Sequence, residues 1–169
     1  MKHVWILAVL AVGGVALWAL HRKNAQQVSD GEEEAKTEML KNIKRFSGCC
    51  QSLLMAVQEQ NAPLTQRNLA AWKKRMSDFP ALCAYFEALC TSVKTPLETA
   101  TAWLETLERW GIQHGERGEV FFVSCKHEAL YVFDDVYSMG AEAQVVQPAW
   151  WLQVEDHLIC IETGAAEIQ

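Results

Sequence analysis

Between Val4 and Leu20 the chain carries no charged or strongly polar side chain, and the apolar run stops abruptly at His21-Arg22-Lys23. As a helix, those residues rise roughly 25 Å, near the short end of what crosses a hydrocarbon core of about 30 Å. Trp5 and Trp18 stand toward the two ends, where indole rings favour the membrane interface, and Arg22 and Lys23 supply a basic stop. The pattern predicts a transmembrane anchor over residues 1–23. A cleaved secretory signal is the competing reading. Its small-x-small triplet, Gly14-Val15-Ala16, would leave Leu17-Trp18-Ala19-Leu20 as a mature start and only a short apolar region before the cut, so the retained anchor is preferred.

Residues 24–36 (NAQQVSDGEEEAK) are polar and acid-rich, which suits a solvated tether leading into a helix whose first turn favours carboxylates. Beyond the tether, apolar residues recur at three and four. Met39, Ile43, Phe46, Cys50, Leu53, Leu54 and Val57 predict one long amphipathic helix over 32–58, ended by Asn61-Ala62-Pro63. Leu69, Trp72, Met76 and Phe79 form a second stripe, closed by Asp78-Phe79-Pro80; Leu82, Phe86, Leu89 and Val93 form a third. Thr95-Pro96-Leu97-Glu98 has capping-box spacing with proline at the first helical position. It opens a fourth helix, which buries Ala100, Trp103, Leu104, Leu107 and Trp110 and ends at Gly111.

After Gly118 the helical period is replaced by short runs rich in β-branched and aromatic residues: 119–124 (EVFFVS), 130–133 (LYVF), 144–147 (QVVQ), 150–154 (WWLQV) and 158–161 (LICI). They predict a small C-terminal antiparallel sheet. Lys126 to Ala129 and Glu155-Asp156-His157 would serve as hairpin connections, with Pro148 at an edge, bulge or strand break. Helices followed by strands give an α+β class, with the apolar helix stripes packed on one face of the sheet. The expected organisation is an anchor over 1–23, a tether over 24–36 and a single α+β domain over 37–169, helical over 37–112 and β over 118–163.

The formal net charge of -6, without a Lys/Arg-rich run, argues against nucleic acid as a partner. Lys2 precedes the apolar run while Arg22, Lys23 and Lys36 follow it, so the charge rule slightly favours a body on the cytoplasmic side; an extracytoplasmic or periplasmic body is the alternative. Cys49, Cys50, Cys83, Cys90, Cys125 and Cys160 show no regular disulfide-scaffold spacing and read as small buried thiols, although disulfides would lead if the body lay outside.

Cys125-Lys126-His127 and His157-Leu158-Ile159-Cys160 place two cysteines and two histidines near the ends of neighbouring strands, a donor set suited to zinc. The spacing is unfavourable, because His157 and Cys160 would face opposite sides of a regular strand. The reading without a cofactor is therefore preferred. Cys125 as a nucleophile, with His127 or His157 as base and Asp134 or Asp135 as orienter, is the enzyme version of the region; it lacks any sequence sign of an activated thiol. No GxSxG, P-loop, GxGxxG, HExxH or CxxC occurs, so the reading leans away from an enzyme. Trp150 and Trp151 point to opposite faces of one strand, which leaves one of them as a candidate partner contact.

The sequence is thus read as a single-pass membrane-anchored accessory or scaffold protein acting through protein contacts near the membrane. A metal- or thiol-based protein using Cys125, His127, His157 and Cys160, and a membrane-tethered hydrolase, are the alternatives.

Overall fold

A computed structural model describes residues 31–169; the apolar run, with Trp5, Trp18, Arg22 and Lys23, lies outside the described residues. Among the described residues no helix is long and apolar enough to cross a membrane. The fold is α+β, with the helices first and two sheets after them.

Residues 31–41 are helical (α1), so the end of the acidic stretch is already structured. The long helix expected over 32–58 is broken: Asn42 leaves the helical region at φ -120, ψ 17, and α2 (Ile43–Gln58) begins after it. The Asn42 side chain donates to the Glu38 carbonyl at 2.9 Å, one of the local bonds with which asparagine competes against the helix ladder. The apolar stripe keeps its phase across the break, and Met39 and Phe46 both reach the core.

The next three helices follow their punctuation. Asn61 caps α3 (Ala62–Arg75), accepting from the Leu64 N–H at 3.0 Å. Pro80 opens α4 (Pro80–Ser92), which has no cap from its own side chains. Instead Glu38 of α1 accepts from the Leu82 N–H at 2.9 Å, placing a carboxylate at the positive end of the helix. In α5 (Pro96–Arg109) both bonds of the capping box form: the Glu98 N–H donates to Thr95 Oγ1 at 3.2 Å, and the Thr95 N–H donates to Glu98 Oε2 at 2.9 Å. Glu32 fastens α1 to the far end of α5, accepting from Trp110 Nε1 at 3.1 Å and pairing with Arg109 at 3.3 Å. The helical core is aromatic at its centre. Phe46 stacks on Trp72 at 5.3 Å, and Trp103 meets Trp72, Phe86 and Trp110 edge to face at 5.5, 5.1 and 5.7 Å.

The β region holds two sheets rather than one. The inner sheet has the order β1-β5-β6, with β1 (Ile112–His114), β5 (Trp150–Val154) and β6 (His157–Glu162) antiparallel. The outer sheet has the order β2-β4-β7-β3, with β2 (Val120–Phe122), β4 (Glu142–Gln147), β7 (Gly164–Ile168) and β3 (Tyr131–Phe133); its β3–β7 pair is parallel. Lys126 to Ala129 do not form a hairpin connection but belong to a short helix, α6 (Cys125–Leu130), which carries the chain between β2 and β3 and buries Leu130. Glu155-Asp156 does turn the β5–β6 hairpin, with Glu155 at φ 52.

Helices cover one face of the inner sheet, and the outer sheet covers the other. Ile112 and Trp150 join the helical core, with Leu152 and Ile161 packed against it. Trp151, Leu158 and Cys160, on the opposite face, pack with Tyr131, Ala143, Val145 and Ala166 of the outer sheet. The chain first passes between sheets from β1 to β2, then at Pro148–Ala149, where proline cannot continue the ladder, and again at Thr163–Gly164. The last two crossings touch: a Cβ on Gly164 would run into the Gln147 carbonyl, lie 2.6 Å from the Ala149 nitrogen and 2.8 Å from the Tyr131 ring.

Gly164→Ala is accordingly expected to destabilise the fold by about 1–3 kcal/mol, the usual cost of overpacking, in chemical denaturation. Gly48→Ala, where a helical Cβ meets open space, should leave stability unchanged or raise it. The capping box sets a pH dependence as well. Bonds from the Thr95 hydroxyl and backbone hold the Glu98 carboxyl below its ordinary value of 4.5. A depressed folded pKa means that the contribution is complete above the ordinary value and is lost as pH falls through the folded one. Glu98→Gln should remove that acid-sensitive component from a denaturation series run downward from pH 4.5.

Candidate functional site

The residues singled out for chemistry do not gather into one ligand set. Cys125 is exposed at the first position of α6. His127, two residues on, bonds through Nδ1 to Ser124 Oγ at 3.0 Å and stacks on Phe121 at 4.1 Å. Its imidazole is held below the ordinary histidine value, chiefly by burial. His157 opens β6 opposite Val154, whereas Cys160 lies opposite Trp151 and approaches Thr163 Oγ1 at 3.8 Å. Among the described residues no three His, Cys, Asp or Glu side chains gather as metal ligands.

The arrangement sought for a nucleophilic cysteine is also not assembled. Ser124, not Cys125, is the hydrogen-bonding partner of His127. Asp134 accepts from the Ile168 N–H at 2.9 Å, tying the C-terminal strand beside β3, and Asp135 accepts from the neighbouring Val136 N–H at 2.7 Å. Neither carboxylate orients an imidazole in these bonds. Cys50 is fully buried and its thiol is pushed strongly up by desolvation, which makes it an unreactive core residue.

The tryptophan pair divides as strand geometry requires. Trp150 is 1 % exposed and donates from Nε1 to Gln51 Oε1 at 2.7 Å under the helices, so it has no surface to offer a partner. The His114 ring packs on it at 4.8 Å, with Nε2 3.1 Å from Glu108. Trp151 is half-buried between the sheets, with Lys126 Nζ 5.0 Å from its ring centroid.

A different surface stands out, and the sequence reading did not pick it. Val120, Phe122, Val132, Val136, Met139, Val146, Val154 and Ile159 are exposed large hydrophobics, and every one belongs to the β region. Four of them, Val120, Phe122, Val132 and Val146, form one face of the outer sheet. In β2, Phe121 turns inward against Tyr131 while Val120 and Phe122 turn out. In β4, Ala143 and Val145 are buried, and a register irregularity after Val145 brings Val146 outward. Val132 on β3 pairs with Ala165 on β7. Phe122 is 67 % exposed and Val132 is 64 % exposed, and no described helix or strand covers this side of the outer sheet. Val136, 93 % exposed, and Met139 lie in the loop that links Phe133 to Glu142.

Carboxylates are set into the same face. Glu142 lies opposite Phe122, Glu167 opposite Gln144, and Asp134 helps to line a shallow groove with Val132, Val146, Ala165 and Glu167. Residues 112–169 hold ten Asp and Glu against Arg117 and Lys126, whereas residues 31–111 hold ten of each sign. Apolar side chains surrounded by acids provide contact area and a negative field. They offer a binding surface rather than a nucleophile and base. No family model, curated protein or solved structure matches the chain.

The thiols provide a direct check of this placement. In the native protein an alkylating reagent is expected to modify Cys125 first and Cys50 only upon unfolding, read position by position by mass spectrometry. Equal native rates at these two positions would contradict the packing described.

Proposed function

We propose that this protein is a single-pass membrane-anchored accessory or scaffold subunit that holds a protein partner near the membrane through its outer sheet. The observation that carries the reading is the confinement of exposed large hydrophobics, among the described residues, to the β region, with Val120, Phe122, Val132 and Val146 on one uncovered sheet face. A soluble surface rarely leaves such a patch open unless something binds it. Burying a valine or phenylalanine contributes about 1.5–3 kcal/mol, so a few of these residues suffice for a modest interface.

Support for the anchor comes from the sequence: the apolar run from Val4 to Leu20, the interfacial Trp5 and Trp18, and the Arg22-Lys23 stop. Tethering raises the effective concentration of a partner in the same membrane, so an interface of modest affinity serves there. The charge rule favours a body on the cytoplasmic side. Chemistry at Cys125, His127, His157 and Cys160 is not part of the proposal, since the four do not form a ligand set.

Two measurements test the reading. The full chain should remain in the membrane fraction after an alkaline wash and be released when residues 1–23 are deleted, and a C-terminal reporter that works only in the cytosol should be active. A photo-crosslinking residue at Phe122 or Val132 should trap a defined protein partner, while the same group at Val154, on the inner sheet, should not. Extraction by alkali would remove the anchor. Equal yields at all three positions would remove the outer sheet as the contact surface.

A further inference from the structure

We infer that the outer face of the β2-β4-β7-β3 sheet takes a cationic, apolar protein segment. The inference rests on the reading of that face as a protein-contact surface and adds the chemistry of what binds there.

Three occupants present themselves for an open apolar sheet face: a lipid surface, a second copy, and a different protein. Charge separates them. Phe122 is flanked across the sheet by Glu142, and the groove around Val132, Val146 and Ala165 is bordered by Asp134 and Glu167. Among the described residues neither Glu142 nor Glu167 is paired with a cation. An anionic bilayer approaching this face would meet carboxylates, and hydrocarbon would have to desolvate them without compensation. A second copy in face-to-face contact would oppose the acids of one sheet to the acids of the other, and like charges set against each other are a common device for rejecting a partner. A segment that alternates apolar and basic residues satisfies both features: its apolar side chains cover Val120, Phe122, Val132 and Val146, and its amines or guanidinia reach the interspersed carboxylates.

The place of the sheet in the fold agrees. The described chain enters through α1, which Glu32 and Glu38 fasten to α5 and α4 in the helical layer. The outer sheet lies beyond the inner sheet on the other side, roughly 10 Å per layer away. The described chain therefore begins on one side of the body, and the open face looks out from the other.

The test uses the full chain in nanodiscs of zwitterionic lipid and a fluorescent peptide of alternating leucine and lysine as the probe, with its leucine–glutamate counterpart beside it. The lysine peptide should bind, and more weakly as salt is raised. Val132→Ser combined with Phe122→Ser should weaken binding at least about tenfold, and so should Glu142→Gln combined with Glu167→Gln, whereas Val154→Ser on the inner sheet should not. All these side chains are exposed, so the fold tolerates the changes.

The inference fails if the glutamate peptide binds as well as the lysine peptide, or if the face variants bind like the parent. It also fails if Phe122→Ser dissolves a dimer of the chain, since the occupant is then a second copy. Protection of residues 120–122 that disappears on deleting residues 1–23 would show that the chain covers itself, and would likewise overturn it. Crosslinking from Phe122 without any preference for the lysine peptide would reject the cationic partner alone and leave the contact surface standing.

Discussion

The contact between the last two sheet crossings is the constraint on which the β region depends. At Pro148–Ala149 the chain leaves the outer sheet for the inner one, and at Thr163–Gly164 it returns. Both passages occupy the same place, with Gly164 lying so close to Gln147 and Ala149 that a side chain has no room. This lets one continuous stretch, β4 through β7, supply the two central strands of the outer sheet, β4 and β7, and two of the three strands of the inner one, β5 and β6. Proline at the first crossing ends the ladder, and glycine at the second allows the backbones to meet.

From that crossing follows the division of the cores. Trp150 leaves it toward the helices and hydrogen-bonds Gln51, while Trp151, next in sequence, enters the layer between the sheets. Adjacent side chains on one strand thereby belong to different hydrophobic clusters, and β5 becomes the strand that couples the helical layer to the outer sheet. The helical side is closed around an aromatic centre at Trp72 and Trp103. The outer side is not closed. The sheet carries apolar side chains on both faces, and only the inner face is packed within the described chain.

Much of the helical half was legible because its signals are local. Asn61, Pro80 and the Thr95–Glu98 box mark helix starts by bonds within a single turn, and the stripes through Trp72, Phe86 and Trp103 identify the buried faces. The break at Asn42 was not legible, since a one-residue kink keeps Met39 and Phe46 on the same side. Cys125–Leu130 is too short for a helical period to declare itself. The strands Ile112–His114 and Gly164–Ile168 contain few β-branched residues and owe their conformation to pairing partners far along the chain. The open face was hidden for a related reason. Val120, Phe121 and Phe122 form an unbroken apolar triplet, and only the outer sheet's position determines that the middle residue is covered while its neighbours are not. The cysteines and histidines drew attention by type, yet among the described residues they do not gather into a ligand set.

Glu32 and Glu38 give α1 a further significance. One carboxylate binds the end of α5 through Trp110 and Arg109, and the other caps the start of α4. The first described helix is therefore held by two others at once, at points separated along its length. These bonds work as a two-point clasp: losing either carboxylate would free one end of α1 while the other stays fastened.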